Sequence, residues 1–174
     1  CDIDEQVLEN IRNRHLPYRE IGCQELLDQT SINLCEDSTG LVQNCDIIFV
    51  PIQTPHDPKF EGITLLTEER ADFDYTWLRQ GMKSLNAAMA DQGKYPIIVI
   101  ISTVLPGTIE REILPVLNPK VRLCYNPFFI AMGTTIPDFN HPEFILFGTE
   151  DEGAAEVLQD FYSTIHDAPF FRTT

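Results

Sequence analysis

The stretch Ile97-Ile98-Val99-Ile100-Ile101-Ser102-Thr103-Val104-Leu105-Pro106-Gly107-Thr108 decides the fold. Its first five residues are all apolar and all β-branched, the pattern of a strand covered on both faces. Such strands belong to parallel sheets flanked by helices, and ligands bind those sheets at the carboxyl ends of the strands. Ser102 and Thr103 stand at that end, so a polar pair falls where a ligand is expected.

Working outward, helical and strand patterns alternate along the chain. Val7, Leu8 and Ile11 predict a short amphipathic helix, and Pro17 and Gly22 break the chain before a second helical piece around Glu25-Leu26-Leu27. Ile32 to Cys35 reads as a short strand, followed by a small helix near Gly40-Leu41-Val42. Asp46 to Val50 is a second buried strand, ending in Pro51-Ile52-Gln53-Thr54-Pro55, whose two prolines cannot continue a ladder. From His56 to Arg70 the pattern is that of a long polar loop. Asp72 or Asp74 is the expected cap of the next helix, with Leu78, Met82, Leu85 and Met89 as its inward stripe.

Beyond the central run, Gly107 and Thr108 are expected to open a helix with Glu110 and Glu112 in its first turn. Val121 to Tyr125 is a strand ended by Asn126-Pro127, and Phe144 to Phe147 is another. Thr149 and Glu152 have capping-box spacing ahead of a helix carrying Ala154, Val157, Leu158, Phe161 and Ile165, and Phe170-Phe171 opens a last strand. The alternation predicts a doubly wound α/β fold with right-handed crossovers. That class of fold names no function by itself.

At 174 residues and 43% hydrophobic, the chain supports one well-buried domain, or one and a half. A formal net charge of -15 argues against nucleic acid or anionic membranes as partners, and an acidic surface serves solubility. A phosphate ligand would have to be held locally, by backbone N–H groups at a helix N-terminus. The five cysteines form no C-x-x-C pair, and the four histidines show no metal-ligand spacing, so reduced thiols and no metal are expected. No apolar run approaches a membrane span, and the acidic Cys1-Asp2-Ile3-Asp4-Glu5 opening is unlike a signal peptide. A cytoplasmic location follows by elimination.

Four segments resemble, in order and spacing, the N-terminal domain of the UDP-glucose/GDP-mannose dehydrogenase family. They are Asp2-Ile3-Asp4; Val50 to Pro55; Ser102 to Thr108, close to the family's Ser-Thr-x-x-Pro-Gly-Thr; and Asn126 to Thr134, followed by Asp138-Phe139 and Pro142. The resemblance implies a Rossmann-like, mostly parallel sheet that binds NAD. It also implies a whole protein that oxidises the C6 hydroxyl of a UDP- or GDP-sugar to a carboxylate in two NAD-dependent steps, as a homo-oligomer.

Residues 1–174 then read as a partial NAD-binding domain, lacking the family's first strand and Gly-rich turn. No G-x-G-x-x-G occurs in the sequence. The family's nucleophilic Cys, with the Lys and Asn near it, belongs to the region after its central helix, and none of the five cysteines here is promoted in its place. Cys124 reads as a small core residue. These residues alone are therefore expected to be inactive. Without the first strand, which is central in this fold, the sheet is expected to have a hole or an open edge. Upstream residues, an oligomer or rearranged packing would cover it.

The resemblance assigns roles residue by residue, each beside a plainer reading. Asp2 matches the acid that accepts the adenosine ribose hydroxyls, favouring NAD over NADP; alternatively it is a solvated terminal Asp. Thr54 and Pro55 match the loop passing near the cofactor, or form an ordinary strand-ending turn. Thr103 is the expected catalytic residue, its hydroxyl beside the nicotinamide and the reacting carbon; otherwise it caps a strand end. Ser102 is grouped with the cofactor contacts, although a structural role suits it better. Phe128 and Met132 stand where the family usually has Glu in Asn-Pro-Glu-Phe-x-x-Glu, and neither side chain can exchange a proton or orient water. Phe128-Phe129 is a stacking surface or core; Arg111 and Arg122 contact phosphate or are solvated. Two rivals remain: a noncatalytic nucleotide-binding or assembly module, and a 2-hydroxyacid or 6-phosphogluconate-type dehydrogenase, for which Asn126-Pro127 is not expected.

Overall fold

The run Ile97–Ile100 is a strand with all four residues buried. The computed structural model describes residues 1–60 and 69–174, so residues 61–68 of the expected polar loop lie outside it. Five strands form one sheet in chain order: β1 (Ile47–Val50), β2 (Ile97–Ile100), β3 (Arg122–Tyr125), β4 (Ile145–Gly148) and β5 (Phe170–Thr173). β1, β2 and β3 run parallel, β4 meets β3 antiparallel at the pair Tyr125–Gly148, and β5 is parallel to β4. The mostly parallel α/β reading therefore stands. Among the described residues β1 ladders with β2 alone, so the disturbance expected in the sheet takes the form of an open edge rather than a hole.

Among the described residues six α-helices accompany the sheet: α1 (Glu5–Arg12), α2 (Cys23–Gln29), α3 (Ser38–Asn44), α4 (Thr76–Gln92), α5 (Thr135–Asn140) and α6 (Glu152–Ser163). The stripe Leu78, Met82, Leu85 and Met89 of α4 packs with Val42 of α3 onto Ile48, Val50, Ile98 and Ile100. The opposite face holds Ala154, Leu158 and Tyr162 of α6 against Ile97, Val99, Cys124 and Phe147. Successive residues of β2 thus alternate between the two layers, which is why the run must be apolar at every position. Burial also pushes the Cys124 thiol up to about 12, as expected of an inert core cysteine.

Three local expectations are corrected. Ile32 to Cys35 forms no strand, having no ladder partner among the described residues. The segment after Gly107 winds as a single π-helical turn, Ile109–Ile113, and a 3-10 turn, Leu114–Val116, rather than a regular helix. Pro115 has no N–H to return to the carbonyl four residues back, and its ring would clash there. The cap of α6 is Asp151, whose carboxylate accepts the Ala154 N–H at 2.9 Å. Thr149 instead donates to the Leu123 carbonyl at 2.7 Å, turned toward the sheet it terminates.

Asp151 also pairs with Arg122 of β3 at 2.8 Å, so one carboxylate both starts α6 and fastens it to the sheet. Hydrogen bonding from Arg122 holds the Asp151 carboxyl below the usual carboxylate range. Two stability experiments follow. Ile98→Ala removes a fully buried side chain from the middle of the sheet and should cost about 2–5 kcal/mol in urea unfolding. Asp151→Asn should cost about 1 kcal/mol at neutral pH, a modest figure because a third of the pair is exposed. A depressed carboxyl stabilises above its unfolded value near 3.9 and loses that contribution as pH falls through the folded value. The gap between wild type and Asp151→Asn should therefore close below about pH 4.

Candidate cofactor site

Parallel pairing of β1 with β2, in register from Ile47–Ile97 to Val50–Ile100, makes both strands end side by side. Pro51 to Pro55 leaves one strand end and Ser102 to Thr108 the other. Thr54 and Thr103 are brought together there: the Thr54 hydroxyl donates to the Thr103 carbonyl at 2.6 Å. Ser102 is buried, and its hydroxyl donates to the Val50 carbonyl at 3.1 Å, closing the strand ends beneath. Thr103 points its own side chain outward; it is exposed, and its hydroxyl has no hydrogen-bond partner among the described residues. Pro55 accepts the Asp74 N–H on its carbonyl at 2.8 Å, which joins this loop to the start of α4.

Asp2 lies outside this hydrogen-bonded group. It is exposed, and its carboxylate accepts the Asp4 N–H at 2.9 Å ahead of α1, which Asp4 caps. The same helical unit reaches the segment after β3 through Glu20. Its carboxylate accepts the N–H groups of Gly133 at 2.8 Å and Thr135 at 3.0 Å. Those bonds hold the Glu20 carboxyl below its ordinary value.

The two positions that depart from the family's Glu pattern behave differently. Phe128 is partly buried against Phe139, ring centroids 5.6 Å apart, within the core layer of α6. Met132 is 98% exposed. Phe129 is 57% exposed but stacks on Phe144 at 5.0 Å, so the adjacent aromatics divide between core and surface. Asn126 is buried and donates to the Leu146 carbonyl at 3.1 Å, while the Tyr162 hydroxyl donates to its Oδ1 at 2.5 Å. Arg111 and Arg122 pair with Asp72 and Asp151 while remaining partly open to solvent, their side chains 51% and 37% exposed.

Reading the sequence missed the side chains under the turn. The Tyr75 hydroxyl donates to Asp72 at 2.6 Å and receives the Leu105 N–H and the Thr108 hydroxyl, each at 3.2 Å. Arg111 donates to Asp72 at 2.8 Å and to Thr108 at 3.3 Å. An aromatic hydroxyl directly after two aspartates, Asp72 and Asp74, was the available signal.

Chemically the surface is a neutral hydroxyl at the ends of two parallel strands, with its backbone fixed from below. That suits a nicotinamide edge, where a hydroxyl donates and accepts without adding charge. The Gly-rich G-x-G-x-x-G turn that would meet a pyrophosphate does not occur in the sequence. Among the described residues no group of three or more His, Cys, Asp or Glu could hold a metal, and no helix is long and apolar enough to cross a membrane.

The family model for the UDP-glucose/GDP-mannose dehydrogenase family, NAD binding domain, matches residues 1–166, and the chain belongs to that family. NAD is its cofactor. Relatives include the GDP-mannose 6-dehydrogenase of Pseudomonas savastanoi pv. phaseolicola, 24% identical over 98% of this chain and 39% of its own length. The UDP-glucose 6-dehydrogenase of Bacillus subtilis is 25% identical over 99% of this chain and 36% of its own. A GDP-mannose dehydrogenase from Pseudomonas aeruginosa, solved as a ternary complex, superposes with a TM-score of 0.83 at 23% identity. It covers 99% of this chain and 40% of that one. A UDP-glucose dehydrogenase from Pyrobaculum islandicum gives 0.81 at 24%, covering 99% and 39%. The chain thus spans about two fifths of the length of these proteins.

Thr54→Val keeps the shape of the side chain and deletes its donor. It should lower unfolding stability by about 0.5–1.5 kcal/mol. Amide exchange at Val104 should accelerate while exchange at Ile98 in β2 stays unchanged.

Proposed function

We propose that the chain is the NAD-binding part of a nucleotide-sugar 6-dehydrogenase, taking a UDP- or GDP-sugar as its substrate. The observation that carries this is the exposed Thr103, whose hydroxyl has no partner among the described residues, on a turn whose backbone is tied to Thr54. Bound NAD would accept the hydride from the sugar C6. Thr103 would hold the reacting oxygen or a water beside the nicotinamide. Thr54 and Ser102 would keep that turn in place, Pro55 would shape the loop opposite, and Asp2 would take the ribose diol. The match to the family's NAD binding domain and the names of the relatives support the assignment. Five unpaired thiols favour the reducing cytoplasm as its compartment. The open edge of β1 favours a homo-oligomer as the working state.

One observation favours a second reading, a nucleotide-binding module without catalysis. Phe128 packs in an apolar layer and Met132 faces solvent, so neither of the family's two acidic positions offers a proton acceptor. Titrating the protein expressed from its whole coding sequence with NAD, then adding GDP-mannose or UDP-glucose, separates the two. The dehydrogenase reading expects NADH to form, and Thr103→Val to lower turnover roughly 10- to 100-fold and to weaken NAD binding about 10-fold. NAD binding without NADH under every sugar nucleotide would favour the module. Residues 1–174 alone should give no turnover in the same assay.

A further inference from the structure

The turn that carries Thr103 has little regular structure to support it. Gly107 adopts φ +79, in the left-handed region, and a single π-helical turn follows. Backbone bonds here are short-range: Thr108 N–H to the Leu105 carbonyl and Arg111 N–H to the Gly107 carbonyl, both at 3.1 Å. Support comes instead from side chains. Thr54 fastens the Thr103 carbonyl from the β1 side, and Tyr75 fastens the Leu105 N–H from the α4 side. The Asp74 N–H to Pro55 carbonyl bond joins those two supports to each other.

Counting protons shows that the Tyr75 hydroxyl is saturated. It has one proton and two acceptor sites. The proton goes to Asp72, which as a carboxylate can only accept; the two acceptor sites take Leu105 N–H and the Thr108 hydroxyl. Arg111 closes the ring by donating to both Asp72 and Thr108. Thr108 is fully buried and Tyr75 is 6% exposed, so water cannot readily replace a lost partner. Asp72 is held below its ordinary carboxyl value, chiefly by the bond from Tyr75, and burial raises the Tyr75 phenol. Both directions keep Asp72 ionised and Tyr75 protonated, so the sense of every bond in the ring is defined.

We infer that Tyr75 is the positioning residue of the Thr103 turn: its hydroxyl, oriented by Asp72 and Arg111, holds Leu105 and Thr108 and thereby sets where Thr103 stands. A tyrosine serving only as core would need its ring, which packs edge-on to Phe73 at 6.4 Å, and not three polar partners at its tip. The inference rests on the reading of Thr103 as the residue beside the nicotinamide, and it adds that a side chain outside the four family-like segments governs that residue.

Tyr75→Phe deletes the hydroxyl and keeps the ring. Amide exchange of Leu105 should speed up about tenfold or more, with Ile98 and Ile100 unchanged. In the whole protein, NAD affinity should fall about 5- to 10-fold in the wild-type background and less than about twofold when Thr103→Ala is already present, because the effect travels through Thr103. Thr108→Val should reproduce both effects, and Thr108→Ser, which keeps the donor, should restore them; this pair decides the matter if Tyr75→Phe does not fold. Faster exchange without weaker binding, weaker binding without faster exchange, or equal losses in both backgrounds would each overturn the inference. Absence of NAD binding by the wild-type whole protein would overturn the reading of the site and the functional half of the inference with it. The exchange arm would still decide whether Tyr75 holds the turn.

Discussion

Four residue pairs in parallel register, Ile47–Ile97 through Val50–Ile100, determine everything that happens at the candidate site. Because parallel strands share a direction, β1 and β2 run out at the same end, and two chain segments far apart in sequence emerge as neighbours. The Thr54–Thr103 bond is a consequence of that pairing, as is the Ser102 bond to Val50. A slip of one residue would exchange the faces of β1, sending Ile48 and Val50 away from α4 and moving Thr54 off its acceptor. The core packing that fixes the register and the polar contacts that shape the site are therefore two readings of one alignment.

Charge is kept away from the outward hydroxyl and neutralised beneath it. The chain carries a formal net charge of -15, yet the side chains meeting at the turn are threonine, serine and tyrosine hydroxyls. Arg111 pairs there with Asp72 at 2.8 Å and with Glu112 at 3.4 Å, and the half-exposed Asp72 pair contributes through geometry more than through Coulomb attraction. Its use is to orient donors and acceptors around Tyr75 and Thr108. A turn held by hydroxyls and the Arg111–Asp72 pair presents a neutral surface to a cofactor ring, whatever the charge of the rest of the molecule.

Side-chain periodicity made the layers legible. The β2 run had to be apolar on both faces, and α4 had to bury the stripe from Leu78 to Met89; both are what the packing shows. Periodicity is blind to partners, which is why Ile32 to Cys35 looked like a strand and is not one. It is equally blind to competition between caps: Thr149 and Asp151 both suited the start of α6, and the carboxylate won because the sheet had claimed the hydroxyl. Contacts across long sequence separations left no trace at all. Arg111 meets Asp72 across 39 positions and Glu20 meets Gly133 across 113. At the site, the Thr103 and Thr54 segments could be read because motif and strand end coincide, whereas the support from Tyr75 depends on how α4 lies over the turn.

Phe128 and Met132 show how far a departure from the family pattern is structural. A carboxylate at position 128 would be partly buried against Phe139, whose ring in turn meets Tyr162, and desolvation there penalises its charged form. The aromatic ring is thus matched to this core rather than merely tolerated by it. Position 132 imposes no such demand, since its side chain is almost wholly in solvent and touches no core layer. The backbone beside it is nonetheless held firmly, with Gly133 and Thr135 bound to Glu20 and Ala131 bound to Asp138. A fixed loop carrying a free side chain is where a carboxylate could be restored without rebuilding the interior, so the two substitutions are unequal. One belongs to the packing of this chain, and the other leaves the packing untouched.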